Sequence, residues 1–326
     1  MRQILLALGA VMAFGATAIP AAAQVKLRLA HALSTSEPVH KASEAFAKAV
    51  NERSGGKLRI TVFPSEQLGP NKEVYEQVRH GAPIIQLADP AFMADYVPDL
   101  GVMNGPYLLD NPQQFKMLLA SDWYKEMDKE MQKAGFRALS FNYFFGIRNM
   151  IGSKPFRSPA DIKGVTVRIA PNPMWVETFK ALGARGVPLP WTEVYSALAQ
   201  HVVDAVEAPL GSLVGSKLQE QRKILSLTGH FTAYVGLVMN EKIFESLSPD
   251  LQKILIEESV KAGEAMTATT IENDKKLIED LKKQGVTVVS DVNVKAFRDA
   301  TAPVYSAFPK WTPGLYPRIR KILDQK

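Results

Sequence analysis

Two arginines stand where a strand gives way to a loop: Arg148 in FFGIRNMIG and Arg168 in GVTVRIAPNPM. Around Arg168, the apolar Val165, Val167 and Ile169 alternate with Thr166, Arg168 and Ala170, the period of a half-buried strand. A guanidinium on the solvent face of such a strand needs no explanation. On a buried face it needs an anion, because an unpaired buried charge costs several kcal/mol. Two such arginines together would grip a carboxylate, since their forked donors match its two oxygens. Surface strands with local ion pairs would show the same spacing.

Two acids also fall at strand ends, Asp89 in PIIQLAD and Glu207 in AVEAPL. A carboxylate pair can do acid-base work, and it can equally accept hydrogen bonds from a ligand's hydroxyls. His31 ends the first strand, where a crevice would open. The histidines 31, 40, 80, 201 and 230 never fall three or four apart, and with no cysteine a thiolate metal site is excluded. G-x-S-x-G, G-x-G-x-x-G after a strand and the phosphate-binding P-loop are absent as well. No cofactor and no metal are therefore expected. The aromatics Phe144, Phe145, Trp175 and Trp191 read by default as core.

The elements that must position these residues alternate. VKLRLAHAL is a strand, PVHKASEAFAKAVNERSGG a helix with a Gly-Gly stop, KLRITVFP a strand, NKEVYEQVRHG a helix, and PIIQLAD a strand buried on both faces. Such alternation implies βαβ units and a mostly parallel sheet flanked by helices. FRALSFNYFFGIRNMIGS reads as a further strand and WVETFKALG as a helix. TEVYSALAQHVVD reads as a helix capped by Thr192. The longest helical stretch runs from Ser248-Pro249 to Gly285, about 50 Å, enough to bridge two domains.

Residues 1–23 read as a secretory signal, with Arg2, an apolar run and the small residues Ala21, Ala22 and Ala23. About 300 residues remain, enough for two domains. An exported chain without cysteine fits a bacterial periplasm. The net charge of +6 is interleaved along the chain and forms no one-sided basic face for nucleic acid. Two domains crossed by more than one segment suggest a hinged protein whose ligand sits in the crevice at the strands' carboxyl ends.

Several stretches carry a resemblance to a known family: FAKAVNERSGGKLRITVFPSEQLG, VPDLGVMNGPYLL, FRSPADIKGVTVRIAPNPM, VPLPWTEVYSALAQHVVDAVEAPL and LSLTGHFTAYVGLVMNEKIFESLSPDLQ. In this order and spacing the chain resembles the substrate-binding proteins of TRAP transporters, the DctP type, over essentially all of its mature length. The resemblance implies a two-lobed α/β periplasmic-binding-protein fold with a mostly parallel sheet in each lobe, interwoven domains and a long bridging helix. Lobe I is expected over 24–145 plus about 234–273, and lobe II over 146–233 plus about 274–326.

The resemblance implies that Arg168, the arginine of the K-G-x-x-x-R strand, is a carboxylate ligand and that Arg148 is the family's second frequent arginine. Trp191, the residue before TEVY, lines the ligand floor. Asp89 and His31 match acid and strand-end positions of the family. Glu207 and Pro209 match its D-x-x-E-N-P pattern, but Ala208 replaces the usual Asn. Trp175, Phe145 and Asn172 complete the expected binding set.

The expectation is a monomeric receptor, not an enzyme, that passes a small organic acid to the small and large subunits of a TRAP permease. A sugar acid or hydroxy acid is preferred, because ionised Asp89 is an acceptor only. An aromatic carboxylate or a C4-dicarboxylate remains open. So do an exported hydrolase or lyase and a receptor for a membrane sensor.

Overall fold

The computed structural model describes residues 24–325, so the expected signal segment lies outside the described residues. Strand β1 (Val25–Ala30) buries Leu27 and Leu29 and leaves Lys26 exposed. Helix α1 (Pro38–Arg53) follows, with Pro38 in its first turn and a face of Val39, Ala42, Phe46 and Val50 turned inward. β2 (Leu58–Phe63), α2 (Asn71–Arg79) and β3 (Ile84–Ala88) complete two βαβ units. β1 pairs parallel with both β2 and β3.

The second half repeats this plan. β5 (Thr166–Ile169) pairs parallel with β6 (Arg185–Pro188) and β7 (Ala205–Pro209). Between the parallel groups run two strands of 17 residues each, β4 (Phe136–Gly152) and β8 (Ile224–Asn240), antiparallel to each other. β3 joins one end of β8 and β7 the other end of β4, both antiparallel. The strand order is β2-β1-β3-β8-β4-β7-β5-β6, with the short β9 (Thr287–Val289) against β8. Each lobe therefore holds a parallel trio, and the antiparallel pair threads both.

β4 carries several register shifts, among them one between Phe144 and Gly146 and one between Arg148 and Met150. Gly146 sits there at φ +124°, a conformation that favours glycine. Bulges bend a strand and re-aim its side chains. Here they lie where the chain passes from one lobe to the other, and they frame Arg148.

Three short helices of the second lobe concern the site: α3 (Pro173–Ala181), α4 (Val194–Ala199) and α5 (Leu210–Gly215). α6 (Pro249–Lys283) is the 35-residue helix expected from the sequence. Its Leu255 and Met266 pack with Phe46 and Tyr143 of lobe I, and its Leu281 packs with Leu213 and Val206 of lobe II. It bridges the lobes. The last helix, α7 (Leu315–Leu323), packs Leu315, Ile319 and Leu323 beside Phe115 and Tyr75 of lobe I. The sequence reading gave about 274–326 to lobe II, but the chain crosses back before it ends.

Thr192 does not cap a helix. Residues 191–193 form a 3-10 turn, α4 begins at Val194, and the helix stops before His201, which stands at φ +56°. The expected single helix over 192–204 is thus a short one, because Thr192 gives its hydroxyl to Glu66 of lobe I instead.

Candidate functional site

The carboxyl ends of β1, β3, β5, β6 and β7 face one another across the gap between the lobes. A cavity of about 240 Å³ lies there. Of the nine residues singled out from the sequence, six line it: Arg168, Arg148, Trp191, Asp89, Trp175 and Phe145. Glu207, His31 and Asn172 stand behind its wall.

Glu207 is fully buried and holds the arginine in front of it. Arg148 Nε donates to Glu207 Oε2 at 2.6 Å and Nη2 donates to Oε1 at 2.8 Å. Trp175 Nε1 donates to the same Oε1 at 2.7 Å, and His230 Nε2 lies 3.2 Å from Oε2. A carboxylate only accepts, so His230 carries its proton on Nε2 and Nδ1 faces the Thr228 hydroxyl at 2.7 Å. Burial pushes the Glu207 carboxyl up, but the charge and hydrogen bonds of Arg148 outweigh it and hold the pKa at about 2. The Arg148 guanidinium also lies 5.1 Å from the Trp175 ring centroid. Arg148 is therefore fixed in place, with Nη1 left over.

Arg168 differs. From Val167 to Ile169 both faces of β5 are covered, so the strand expected to be half-buried from its alternation is buried there on both sides, as parallel strands are, and only Thr166 stays partly exposed. Only 3% of Arg168 is exposed, yet among the described residues no carboxylate lies within salt-bridge distance of it. Nε and Nη2 both donate to the Leu189 carbonyl, at 3.0 and 2.6 Å. The Trp191 ring lies 5.2 Å away. Burial lowers the Arg168 pKa to about 10, so it stays charged at neutral pH, and its charge lacks a bonded acid.

Asp89 faces these arginines from lobe I. Its Oδ1 accepts from the Ala91 amide at 2.8 Å, capping the turn Pro90–Met93, and Oδ2 has no donor among the described residues. Burial raises its pKa to about 6. The Tyr75 hydroxyl donates to the Leu87 carbonyl and accepts from the Asp89 amide, which fixes the end of β3.

His31 is buried and its Nδ1 accepts from the Leu33 amide at 3.2 Å, while Nε2 meets His40 Nδ1 at 3.2 Å. Burial, with His40 nearby, lowers its pKa to about 4. It braces the segment from Ala32 to Leu33, which lines the cavity. Asn172 caps α3 by accepting from the Trp175 amide at 3.1 Å. It orients the helix that carries Trp175.

The sequence reading missed several wall residues. Glu66, Asn71, Lys72 and Tyr75 come from β2's loop and α2, and Ser212 from α5. No motif marked them. The only signal was their place just after a strand's carboxyl end.

A two-lobed α/β chain with a charged, part-apolar crevice at its strand ends is a solute-binding protein. Residues 29–310 match the family Bacterial extracellular solute-binding protein, family 7, DctP. The chain belongs to this family, whose members are receptors rather than enzymes. It is 30% identical to the 2,3-diketo-L-gulonate-binding periplasmic protein YiaO of Escherichia coli over 84% of each chain. It is 37% identical to a TRAP periplasmic solute-binding protein of Ochrobacterium anthropi solved with bound L-fuconate. That match covers 93% of this chain and 100% of the other, with a TM-score of 0.89. Against an apo open TRAP protein of Escherichia fergusonii the identity is 30%, the coverage 91% and 99%, and the TM-score 0.78. The fit is better to the ligand-bound form, and Thr192 of lobe II bonds Glu66 of lobe I across the crevice.

Proposed function

We propose that this protein captures a small hydroxylated monocarboxylate, a sugar acid or hydroxy acid, in the periplasm and hands it to a TRAP membrane permease. One observation carries the reading: Arg168 is buried in the crevice wall with no bonded acid, whereas Arg148 already has Glu207. The ligand's carboxylate fills the vacant place, gripped by Arg168 and by Arg148 Nη1. Closure excludes water and strengthens both bonds. Asp89 Oδ2 takes a hydroxyl at the far end, and Trp191, Trp175 and Phe145 wall the carbon chain. The carboxylates Asp89 and Glu66 in the same cavity disfavour a second acid group.

The ligands of related proteins support this class. Solved relatives carry L-fuconate, L-galactonate and D-erythronate. A further one carries sn-glycerol-3-phosphate, so a phosphate ester is the competing anion. No described helix is long and apolar enough to cross a membrane.

The test is a melting-temperature screen of residues 24–326 after unfolding and refolding to strip carried-over ligand. The panel holds sugar acids, hydroxy acids, aromatic acids, C4-dicarboxylates and sn-glycerol-3-phosphate. A ligand at about 100 times its Kd adds about 2.7 kcal/mol, a rise of several degrees for a chain of this size. A rise with sugar or hydroxy acids alone is expected. A rise only with dicarboxylates or phosphate esters would contradict the class.

A further inference from the structure

Glu37 stands at the first position before α1, where a short polar side chain would cap the helix. Its carboxylate makes no such cap. It turns away from its own helix and is fully buried, and no cation lies within salt-bridge distance of it among the described residues. A carboxylate buried without a cation is costly unless donors surround it. The donors come mainly from the opposite lobe. Ser212 donates to Oε2 at 2.6 Å, and Ser216 and Trp191 Nε1 reach Oε1 at 3.1 and 3.2 Å. Only the Ser34 amide and hydroxyl, at 3.1 and 3.3 Å, belong to lobe I. Beside them the Ser36 hydroxyl donates to the Gly215 carbonyl at 2.8 Å, and Ser34 Oγ lies 3.2 Å from the same oxygen, so its one proton serves either Glu37 or Gly215.

Glycine makes this approach possible. A Cβ on Gly215 would stand 2.5 Å from Glu37 Cγ, and one on Gly211 would stand 3.2 Å from Pro38 Cγ. Both glycines face the start of α1 from α5. The arrangement reaches the ligand site through one ring: Trp191 bonds Glu37 by its nitrogen and lies against the Arg168 guanidinium.

We propose that Glu37 is the latch of the closed state, a positioning residue that joins the lobes and holds the Trp191 indole against Arg168. The role of the ring at the ligand rests on the proposed function; the latch itself does not. Opening the lobes removes Ser212, Ser216 and Trp191 and gives the carboxylate back to water. Closing exchanges that water for three side-chain donors. Glu37 therefore sets how long a ligand stays trapped without touching it.

The absence of cysteine allows a clean test. Lys48→Cys on α1 and Lys180→Cys on α3 place dyes on exposed sites of the two lobes, and single-molecule energy transfer reads the closed fraction. The mature chain is compared with Glu37→Ala, Glu37→Gln and Gly215→Ala, free and with L-fuconate or L-galactonate. The closed fraction should fall about fivefold or more in Glu37→Ala and Gly215→Ala, the order expected for one or two net hydrogen bonds. Glu37→Gln keeps an acceptor and should retain most of it. Ligand-free melting temperatures should match the parent. An unchanged closed fraction in Glu37→Ala overturns the latch. So does a lowered ligand-free melting temperature with the closed fraction kept, which would mark a static joint. If neither acid closes the parent but its ligand-free closed fraction still depends on Glu37, the ligand class fails and the latch stands. A parent with no closed population under any condition overturns the latch as well.

Discussion

Glu207 takes Arg148 in two parallel hydrogen bonds, 2.6 Å from Nε and 2.8 Å from Nη2, deep behind the crevice wall. One of the two crevice arginines is thus neutralised inside the protein and the other is not. That asymmetry gives the two residues opposite roles in stability.

Replacing each arginine by methionine separates them. Arg148→Met leaves Glu207 buried with only His230 and Trp175, and breaking one side of a buried pair costs about 3–5 kcal/mol. The ligand-free melting temperature should fall by more than about 6 °C. Arg168→Met removes a buried charge that has only a carbonyl to bond, so the ligand-free melting temperature should hold or rise. Calorimetric melts of both variants check this, and equal losses would contradict the assignment.

Acid should act through Glu207. Its folded pKa is depressed to about 2 by Arg148 against the effect of burial. Such a group contributes stability that is fully present above its unfolded value, about 4.3, and is lost as pH falls toward 2. Urea titrations between pH 5 and pH 2.5 should show stability declining in the parent. In Glu207→Gln that part of the decline should be missing, on a lower baseline.

Asp89 works the other way. Burial raises its folded pKa to about 6, so the folded state holds the proton more tightly and stability declines as pH rises from about 4 toward 6. Asp89→Asn should raise ligand-free stability at pH 7.5, and the gain should vanish below about pH 4. Binding should show the sign of the ligand. A hydroxyl donating to ionised Asp89 loses a charge-assisted bond as pH falls through 6, so affinity should drop about fivefold. A dicarboxylate would instead bind more tightly there. Titration calorimetry at pH 5 and pH 7.5 distinguishes the two.

Much of this was legible in the sequence. Alternation around β1, the helical face of α1 and the long run from Ser248 to Gly285 all reflect burial on one side, and local period reports that directly; β5 shows the same alternation, but its polar face is covered as well. Arg168 stood out because a charge interrupted an apolar strand. The pairing of Arg148 with Glu207 was hidden, since 59 residues separate them and only the β4–β7 register, which sets Arg148 opposite Pro209 and Met150 opposite Glu207, brings them within reach. β8 gave no clean signal: its last eight residues are buried on both faces and Gly229 breaks the alternation at φ +56°. Thr192 looked like a helix cap by type, and its real partner, Glu66, comes from the other lobe. Nothing in the sequence marked Glu37, because its donors are assembled only in three dimensions.

The central claim is that the acid of the ligand replaces the missing partner of Arg168. The most direct measurement is titration calorimetry of the best ligand from the melting screen against the parent and Arg168→Met. Truncating one side of a buried charged pair costs about 2–5 kcal/mol, so affinity should fall roughly 30-fold or more while the ligand-free melting temperature holds. Equal affinity in the variant would contradict the claim, and the carboxylate would have to be sought elsewhere in the crevice.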